Sequence, residues 1–360
     1  MILLMAASVQ VQKAEFNGLS VQEVTRGEEV RIRRKKLVHR KNVKNLRARE
    51  KTEFVAAVLK LKTMPSPEQD GVENWYDHFV ATHLKKNICW TDQSNQGGYG
   101  HQGPDVWTWH RAFLLEFEEA LRAAAGKPMA IPYWDWTDPD STTALLADDF
   151  MGPGGKKEDN YVVMSGPFRK GQWRLNVKNF SLSEVGQFDD LVRAIGTSSL
   201  ATTLPSAQEV QDALSRPLYD VAPWDPTANN DQSFRAFVDG FIGGTPNFCK
   251  GGILSSSITS TRLHAQAHSY IGGMFELSGE MVTGTLMDVS TSPNDPIFWT
   301  HHANLDRIVE QWWKTHHYEY APMSGGPRGD NFNDIVWPYA PVTNGDMAEP
   351  TQTFGYVYDD

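Results

Sequence analysis

The sequence predicts a mainly α-helical protein, built as a four-helix bundle with short peripheral strands and long loops. Apolar residues recur at helical spacing in several stretches, as in helices with one buried face. Histidines lie on four of these stretches, and 29 glycines and 20 prolines mark the turns between elements. The 360 residues leave room for one large core. We expect an N-terminal extended segment over residues 1–40 and a domain over residues 41–360, which together form one compact unit.

The first elements alternate between extended and helical patterns. Residues 8–32 show short polar–apolar alternations and are predicted to be extended. A helix is predicted over residues 42–62, where Pro65 follows and cannot continue it. A second helix is predicted over residues 74–84. Residues 95–104 are rich in glycine and are expected to form a loop.

The strongest helical pattern covers residues 106–125. Trp109, Phe113 and Phe117 recur one turn apart, and Gly126 stops the pattern. The later elements are predicted to be short helices near 185–195 and 206–216, a helix over 261–270, a hairpin over 276–289, a last helix over 297–314, and a tail of loop and strand.

Composition narrows the classes of function. The net charge of −10 argues against general binding to nucleic acid. No run approaches the roughly 18 apolar residues of a membrane-spanning helix, and Met1–Val9 lacks the positive start of a signal peptide. We therefore expect a soluble protein, with secreted and cytoplasmic locations both open. Cys89 and Cys249 could form one disulfide bond or remain two thiols.

Three histidines in the C-terminal half have the context of metal ligands. His264 and His268 are four residues apart, which places both imidazoles on one face of a helix. Such a pair also occurs by chance on solvated helices, so alone it is weak evidence. His302 lies on a helix that Asp295 and the proline after it can cap. Asp306, one turn beyond His302, could hold a supporting contact to that ligand.

Three histidines in the N-terminal half form a second candidate set. His110 lies among aromatic residues at the start of the 106–125 helix, where a buried imidazole must be satisfied by a hydrogen bond or a metal. His101 lies in the glycine-rich loop, and His83 ends the preceding helix. Each of them, taken alone, could equally be a structural residue. We expect His301 to hydrogen-bond to the backbone or to solvent, because it adjoins a candidate ligand.

Together these motifs resemble the tyrosinase and catechol oxidase family of type 3 dicopper proteins. The motifs of that family's two copper sites are similar to YDHFVATH ending at His83, WHRAFL with His110, LHAQAHSYIGG with His264 and His268, and DPIFWTHHANLD with His302. His101 matches the histidine that the family carries in a loop. The sequence PYWDW and the closing Tyr356–Tyr358 also agree, and Arg40 is expected to pack on the latter.

The resemblance implies a four-helix bundle that houses two copper ions, with residues 41–360 as the catalytic domain. The expected ligands of one ion are His83, His101 and His110, and those of the other are His264, His268 and His302. The resemblance also implies contacts with the substrate by Ala265, Ser269, Ser290 and Phe298, with Phe298 over the second copper. Because the chain ends soon after Tyr358, we expect the short form of the family, without a C-terminal lid domain.

The implied activity is that of a polyphenol oxidase. It would use O2 to oxidise o-diphenols or o-aminophenols to quinones, and could also hydroxylate monophenols. The expected partners are phenolic or catecholic small molecules and O2, and could include a copper-delivery protein. Neither nucleic acid nor a membrane is expected. The alternatives are an O2-binding protein like haemocyanin, which has a similar dicopper site, and a zinc hydrolase, which would need a carboxylate base beside the histidines.

Three departures from the family bear on the reaction. Members that hydroxylate monophenols carry Asn where this chain has Ala265, and Glu eight or nine residues before His264, where this chain has serines. These differences favour substrates with two ortho heteroatoms, unless Asp295 or Glu276 replaces the missing carboxylate. Many eukaryotic members also form a Cys–His thioether from a cysteine at the position of Tyr99, so no such crosslink is expected.

Overall fold

The computed structural model describes residues 37–68, 70–87, 100–180, 182–243 and 258–359. Several predictions lie outside these ranges: the extended segment over residues 8–32, most of the glycine-rich loop, and the state of the two cysteines. No helix in the described ranges is both long and apolar enough to span a membrane.

Helices dominate the described part of the chain, which confirms the predicted fold class. They are α1 Ala48–Leu61, α2 Trp75–Asn87, α3 Val106–Ala125, α4 Pro139–Leu145, α5 Ala207–Leu214, α6 Phe234–Asp239, α7 Leu263–Gly272, α8 Ile297–Thr315 and α9 Asn344–Met347. The predicted bounds of α3 are confirmed. The helix predicted near 185–195 is wrong, since only the single turn Glu184–Gly186 forms there. The residues after it pair instead with Val162 and Arg174.

Within the described ranges, six short strands form three two-stranded sheets at the edges of the helical core. They are β1 Val38–Arg40, β2 Phe241–Ile242, β3 Ser260–Thr261, β4 Met274–Leu277, β5 Glu280–Thr283 and β6 Tyr356–Tyr358. The β4–β5 pair is the predicted hairpin, although it ends at residue 283. Strand β2 pairs with β3, and β1 lies parallel to β6. The β1–β6 pair therefore joins segments that are far apart in sequence.

Helix α3 lies at the centre of the core and packs on α1 and α8. Its apolar face meets aromatic side chains of the neighbouring helices. Phe117 stacks on Trp299 of α8 with ring centroids 3.5 Å apart, and Phe79 of α2 meets Phe117 edge-on at 5.2 Å. Fully buried aromatic side chains of this size supply much of the hydrophobic stabilisation of a core. They also fix the spacing of the helices that carry the histidines.

Arg40 ties the two ends of the described chain to this core. Its guanidinium is fully buried and lies 3.7 Å from the ring centroid of Tyr356. It donates to Glu118 of α3 at 3.1 Å and to Asp306 of α8 at 3.2 Å. The predicted packing of Arg40 on the closing tyrosines is confirmed. Asp306, however, also binds Arg111 at 2.6 Å and is used in this network, not in the contact to His302 that the sequence suggested.

Candidate metal centre

The first histidine group joins three separate elements. His83 lies near the end of α2, His101 in the loop before α3, and His110 in the first turns of α3. All three side chains are buried, and one nitrogen of each lies within 4.8 Å of the others. The spacing suits three ligands of one metal ion, as the sequence predicted.

Hydrogen bonds at Nδ1 orient two of these imidazoles. His83 Nδ1 lies 2.9 Å from the Ser290 carbonyl, and His110 Nδ1 lies 2.7 Å from the Val106 carbonyl. A carbonyl only accepts, so each Nδ1 carries the proton and each Nε2 keeps its lone pair. Both Nε2 atoms are buried without a hydrogen-bond partner among the described residues. Buried lone pairs of this kind fit metal ligation.

The second group contains His264 and His268 of α7 with His301 and His302 of α8. His264 Nδ1 lies 3.1 Å from Asp239 Oδ1, and His268 Nδ1 lies 2.6 Å from the Leu286 carbonyl. The Nε2 atoms of His268 and His302 are 3.4 Å apart, so both face the same space. The i, i+4 pair of α7 therefore meets a histidine of α8, as the sequence predicted.

His301 does not hydrogen-bond to the backbone or to solvent as expected. It is fully buried, and its Nδ1 accepts the indole N–H of Trp136 at 3.0 Å. An indole nitrogen only donates, so the proton of a neutral His301 lies on Nε2 and leaves no lone pair there. His302 has no such constraint at Nε2. This difference favours His302 over His301 as the metal ligand.

The carboxylate of Asp239 was not expected at the site. It ends α6, 25 residues before His264, and a search at a fixed short spacing misses it. The β2–β3 pair returns the chain, so that the end of α6 meets the start of α7. A carboxylate that accepts from a ligand imidazole fixes the ring and makes it more basic. Asp239 therefore adds a carboxylate beside His264 at a position that the sequence analysis did not consider.

The two groups are in direct contact. His110 and His302 stack with ring centroids 4.2 Å apart, and His101 lies 5.8 Å from His264. Phe298 is fully buried and packs against a histidine of each group, with ring centroids 4.1 Å from His302 and 5.1 Å from His83. Two metal ions held by these groups would share one enclosure.

Burial keeps five of these imidazoles neutral. It lowers the pKa of His83 to about 3. Burial, together with the neighbouring imidazoles, also lowers the pKa of further ring nitrogens well below the ordinary value, namely those of His101, His110, His268 and His302. Neutral imidazole is the protonation state that binds metals. A set of neutral imidazoles without thiolate or carboxylate fits copper, which cycles between two oxidation states on such ligands.

The loop that carries His101 is fastened from several sides. Arg235 of α6 donates to the Gln102 carbonyl at 3.0 Å, and the Tyr219 hydroxyl donates to the Pro104 carbonyl at 2.7 Å. Lys86 of α2 reaches Asp105 at 2.8 Å. These partners come from distant parts of the chain, and no sequence motif predicted their contacts with the loop.

The residues expected to contact the substrate lie beside the histidines. Ala265 and Ser269 are buried on α7, and the Ser269 hydroxyl has no partner among the described residues. Ser290 is also buried and supplies the carbonyl that orients His83. Asp295 cannot serve as a free base, because Arg193 holds both of its oxygens at 2.7 Å. Glu276 is exposed on β4.

The remaining histidines of the described chain are structural or peripheral. His78 is buried between Asp70 at 2.6 Å and Glu116 at 3.4 Å. His39 and His317 are exposed. Tyr99, Cys89, Cys249 and the serines at 255 and 256 lie outside the described residues, so the expectations about a thioether and a disulfide stay predictions.

Known proteins share this arrangement. A family model described as the common central domain of tyrosinase matches residues 73–315. The tyrosinase of Streptomyces antibioticus is 34% identical over 88% of this chain and 98% of its own length. The grixazone synthase of Streptomyces griseus is 32% identical over 89% of this chain and 99% of its own length.

Solved structures support the same fold. A variant polyphenol oxidase of Thermothelomyces thermophila superposes with a TM-score of 0.60 at 20% identity, over 90% of this chain and 89% of that one. A tyrosinase of Burkholderia thailandensis gives a TM-score of 0.56 at 17% identity, over 90% and 74%. From the family match over most of the chain, the full-length relatives and the paired histidine groups, we conclude that the chain belongs to the tyrosinase family and is a type 3 copper polyphenol oxidase.

Proposed function

We propose that the protein oxidises o-diphenols or o-aminophenols to the corresponding quinones or quinone imines. Two substrate molecules together lose four electrons and four protons, which reduce one O2 to two molecules of water. The observation that carries the proposal is the pair of adjacent, buried histidine groups, each able to offer three imidazoles to one metal ion. Two bound copper ions would supply the binding of O2 and the transfer of electrons.

We assign the ligands by the hydrogen bonds at the ring nitrogens. His83, His101 and His110 would hold one ion, and His264, His268 and His302 the other. Four of these rings have Nδ1 committed to an acceptor, which leaves Nε2 for the metal. The protein holds these rings close to the orientation that a metal needs, because a ligand that reorients less on binding loses less free energy.

The surrounding side chains would exclude water and guide the substrate ring. Phe298 bounds the space between the groups and is placed to meet an aromatic ring edge-on or offset. On α7, Ala265 and Ser269 each directly follow a proposed metal ligand in sequence. Ser290 contacts a third proposed ligand, His83. We propose these four residues as the substrate contacts. An apolar wall also protects reactive products from side reactions with water.

The reaction subtype depends on what can take the phenol proton. An o-diphenol already has two oxygens, whereas hydroxylation of a monophenol needs a base that holds a phenolate in place. Asp239 supplies a carboxylate near the second group, but it already accepts from His264. Ala265 offers no amide to hold a water beside it. We therefore propose that diphenol oxidation dominates and that monophenol hydroxylation is weak.

Two ligand variants test the assignment. His110→Ala and His268→Ala should each bind one copper instead of two and lose catechol-dependent O2 uptake. His317→Ala, an exposed histidine, is the matched control and should keep both. Copper is measured by elemental analysis and O2 with an electrode. Two coppers per chain and full activity in either ligand variant would contradict the proposed site.

The alternative of an O2 carrier predicts a different result. A carrier with this site would bind two coppers but give no quinone from catechol. The relatives named above are enzymes, which favours the oxidase. Rates with catechol, o-aminophenol, tyramine and tyrosine on the copper-loaded protein distinguish a carrier from an oxidase, and a diphenol oxidase from one that also accepts monophenols.

A further inference from the structure

One short segment touches both histidine groups. We call residues 284–291, between β5 and the turn before α8, the strap. The Leu286 carbonyl of the strap accepts from His268 at 2.6 Å, and its Ser290 carbonyl accepts from His83 at 2.9 Å. The strap therefore orients one proposed ligand of each metal ion, and the two contacts lie only four residues apart.

The first half of the strap is fixed against the segment around Val192 and against the end of α7. Thr285 exchanges backbone and hydroxyl hydrogen bonds with Val192 at 2.8 and 3.0 Å. Gly284 and Gly272 permit the close approach: a Cβ on Gly284 would lie 2.1 Å from the Gly272 carbonyl oxygen, and one on Gly272 would lie 2.4 Å from the Met287 nitrogen. This close packing sets the position of the Leu286 carbonyl.

The second half of the strap is held by one carboxylate. Asp288 accepts from the Ser290 backbone nitrogen at 3.2 Å and from the Asn179 side-chain amide at 2.9 Å. Its other oxygen accepts from the Thr291 hydroxyl. These three bonds fold the backbone around the carboxylate and attach it to the loop that contains Asn179. They fix the direction of the Ser290 carbonyl and hence of His83.

We propose that Asp288 is a positioning residue that couples the two metal sites, so that metal bound at one site strengthens binding at the other. The inference rests on the ligand assignment given under the proposed function. A metal at the first site immobilises His83, which immobilises the strap through Ser290. The second metal then binds His268 while the strap is already ordered. The free-energy cost of ordering the strap therefore belongs to the first binding step alone.

The test compares the affinity of the second site with its neighbour filled and empty. Copper binding is titrated against a chelator of known affinity, in the full-length protein and in His110→Ala, which lacks the first site. The ratio of the two second-site affinities measures the coupling, and we expect it to be roughly fivefold or more. In Asp288→Ala the same ratio should fall to about one. Asp149→Ala removes an exposed carboxylate paired with Lys51 and should keep the original ratio.

A merely structural Asp288 would lower the stability of the fold but leave the ratio unchanged, and that result would overturn the proposal. A ratio of one in the unaltered protein would also overturn it. If Asp288→Ala does not fold, Thr291→Val decides the question, because it removes the Thr291 bond and should lower the ratio in part. Two coppers bound to His110→Ala would instead show that the ligand assignment fails, independently of the strap.

Discussion

At the scale of single residues, the hydrogen-bond partner of a histidine's Nδ1 distinguishes a metal ligand from an adjacent histidine that does not bind the metal. His301 and His302 are adjacent, buried and in the same group, and their sequence context is nearly identical. Trp136 donates to His301 and thereby places its proton on Nε2. The DPIFWTHH motif contains both residues and cannot show which of them faces a metal. The answer depends on an indole about 165 residues away.

Ala265 gives a prediction at the same scale. Replacement with Asn adds an amide directly after His264 in the chain, and an amide can hold a water by a hydrogen bond. The water would accept the phenol proton. We expect Ala265→Asn to raise the ratio of tyramine hydroxylation to catechol oxidation several-fold, as measured by initial rates on copper-loaded protein.

Ala265→Val is the control, because it adds bulk at the same buried position without an amide. Its ratio should stay at the original value. An unchanged ratio in the Asn variant would count against the role given to this position, and an equal rise in the Val variant would point to bulk alone.

At the scale of elements, local pattern predicted the helices well where they carry a long apolar face. Helix α3 has such a face over five turns, and its bounds were predicted correctly. The prediction of a helix over residues 185–195 failed because the backbone there pairs with Val162, Arg174 and Thr285. No short window of sequence contains these contacts. Asp239 was missed for the same reason: its place beside His264 depends on the pairing of β2 with β3.

The His101 loop gives a prediction at this scale. Arg235 is buried, pairs with Asp220 at 2.8 Å, and donates to the Gln102 carbonyl next to His101. Lys at this position keeps the charge near Asp220 but cannot reproduce the fork of donors. We expect Arg235→Lys to weaken the binding of copper at the first site roughly tenfold, which is the usual effect of losing a contact that supports a metal ligand. Copper binding at the second site should change little.

The measurement is a copper titration with His110→Ala and His268→Ala as single-site references. Arg169→Lys serves as the control, since Arg169 is exposed and bonds only to the nearby Gly166 carbonyl among the contacts described. Equal weakening of both sites by Arg235→Lys would show a general loss of structure, and not a loosened loop.

At the scale of the whole molecule, charged groups join the ends of the described chain to the centre. Arg40 and Asp306 connect β1, α3, α8 and β6 in one buried network. We propose on this basis that the segment around Arg40 belongs to the catalytic unit and does not form a separate domain. The sequence suggested the Arg40–tyrosine contact through family resemblance, but the burial of the network depends on all four elements.

A second buried network predicts how stability depends on pH. Asp330, from the C-terminal region, accepts from the Asp105 backbone nitrogen at 3.3 Å, beside the His101 loop. Burial and the nearby Asp105 carboxylate raise the pKa of Asp330 to about 9. In the unfolded chain Asp330 ionises near its ordinary value of about 4. Between these two values the folded protein keeps a proton that the unfolded chain has lost.

Stability therefore falls as pH rises from about 4 toward 9, by at most about 1.4 kcal/mol per pH unit for this group. Asp330→Asn should abolish that loss, because an amide imitates the protonated acid: its oxygen can accept from Asp105 N and its nitrogen can donate to the Asp105 carboxylate. Urea unfolding at several pH values should show that the free energy of unfolding of Asp330→Asn rises relative to that of the unaltered protein as pH rises. The control Asp149→Asn should show no such trend. If the variant's advantage in free energy of unfolding over the unaltered protein is the same at every pH, or grows as the pH falls, Asp330 is ionised in the folded protein.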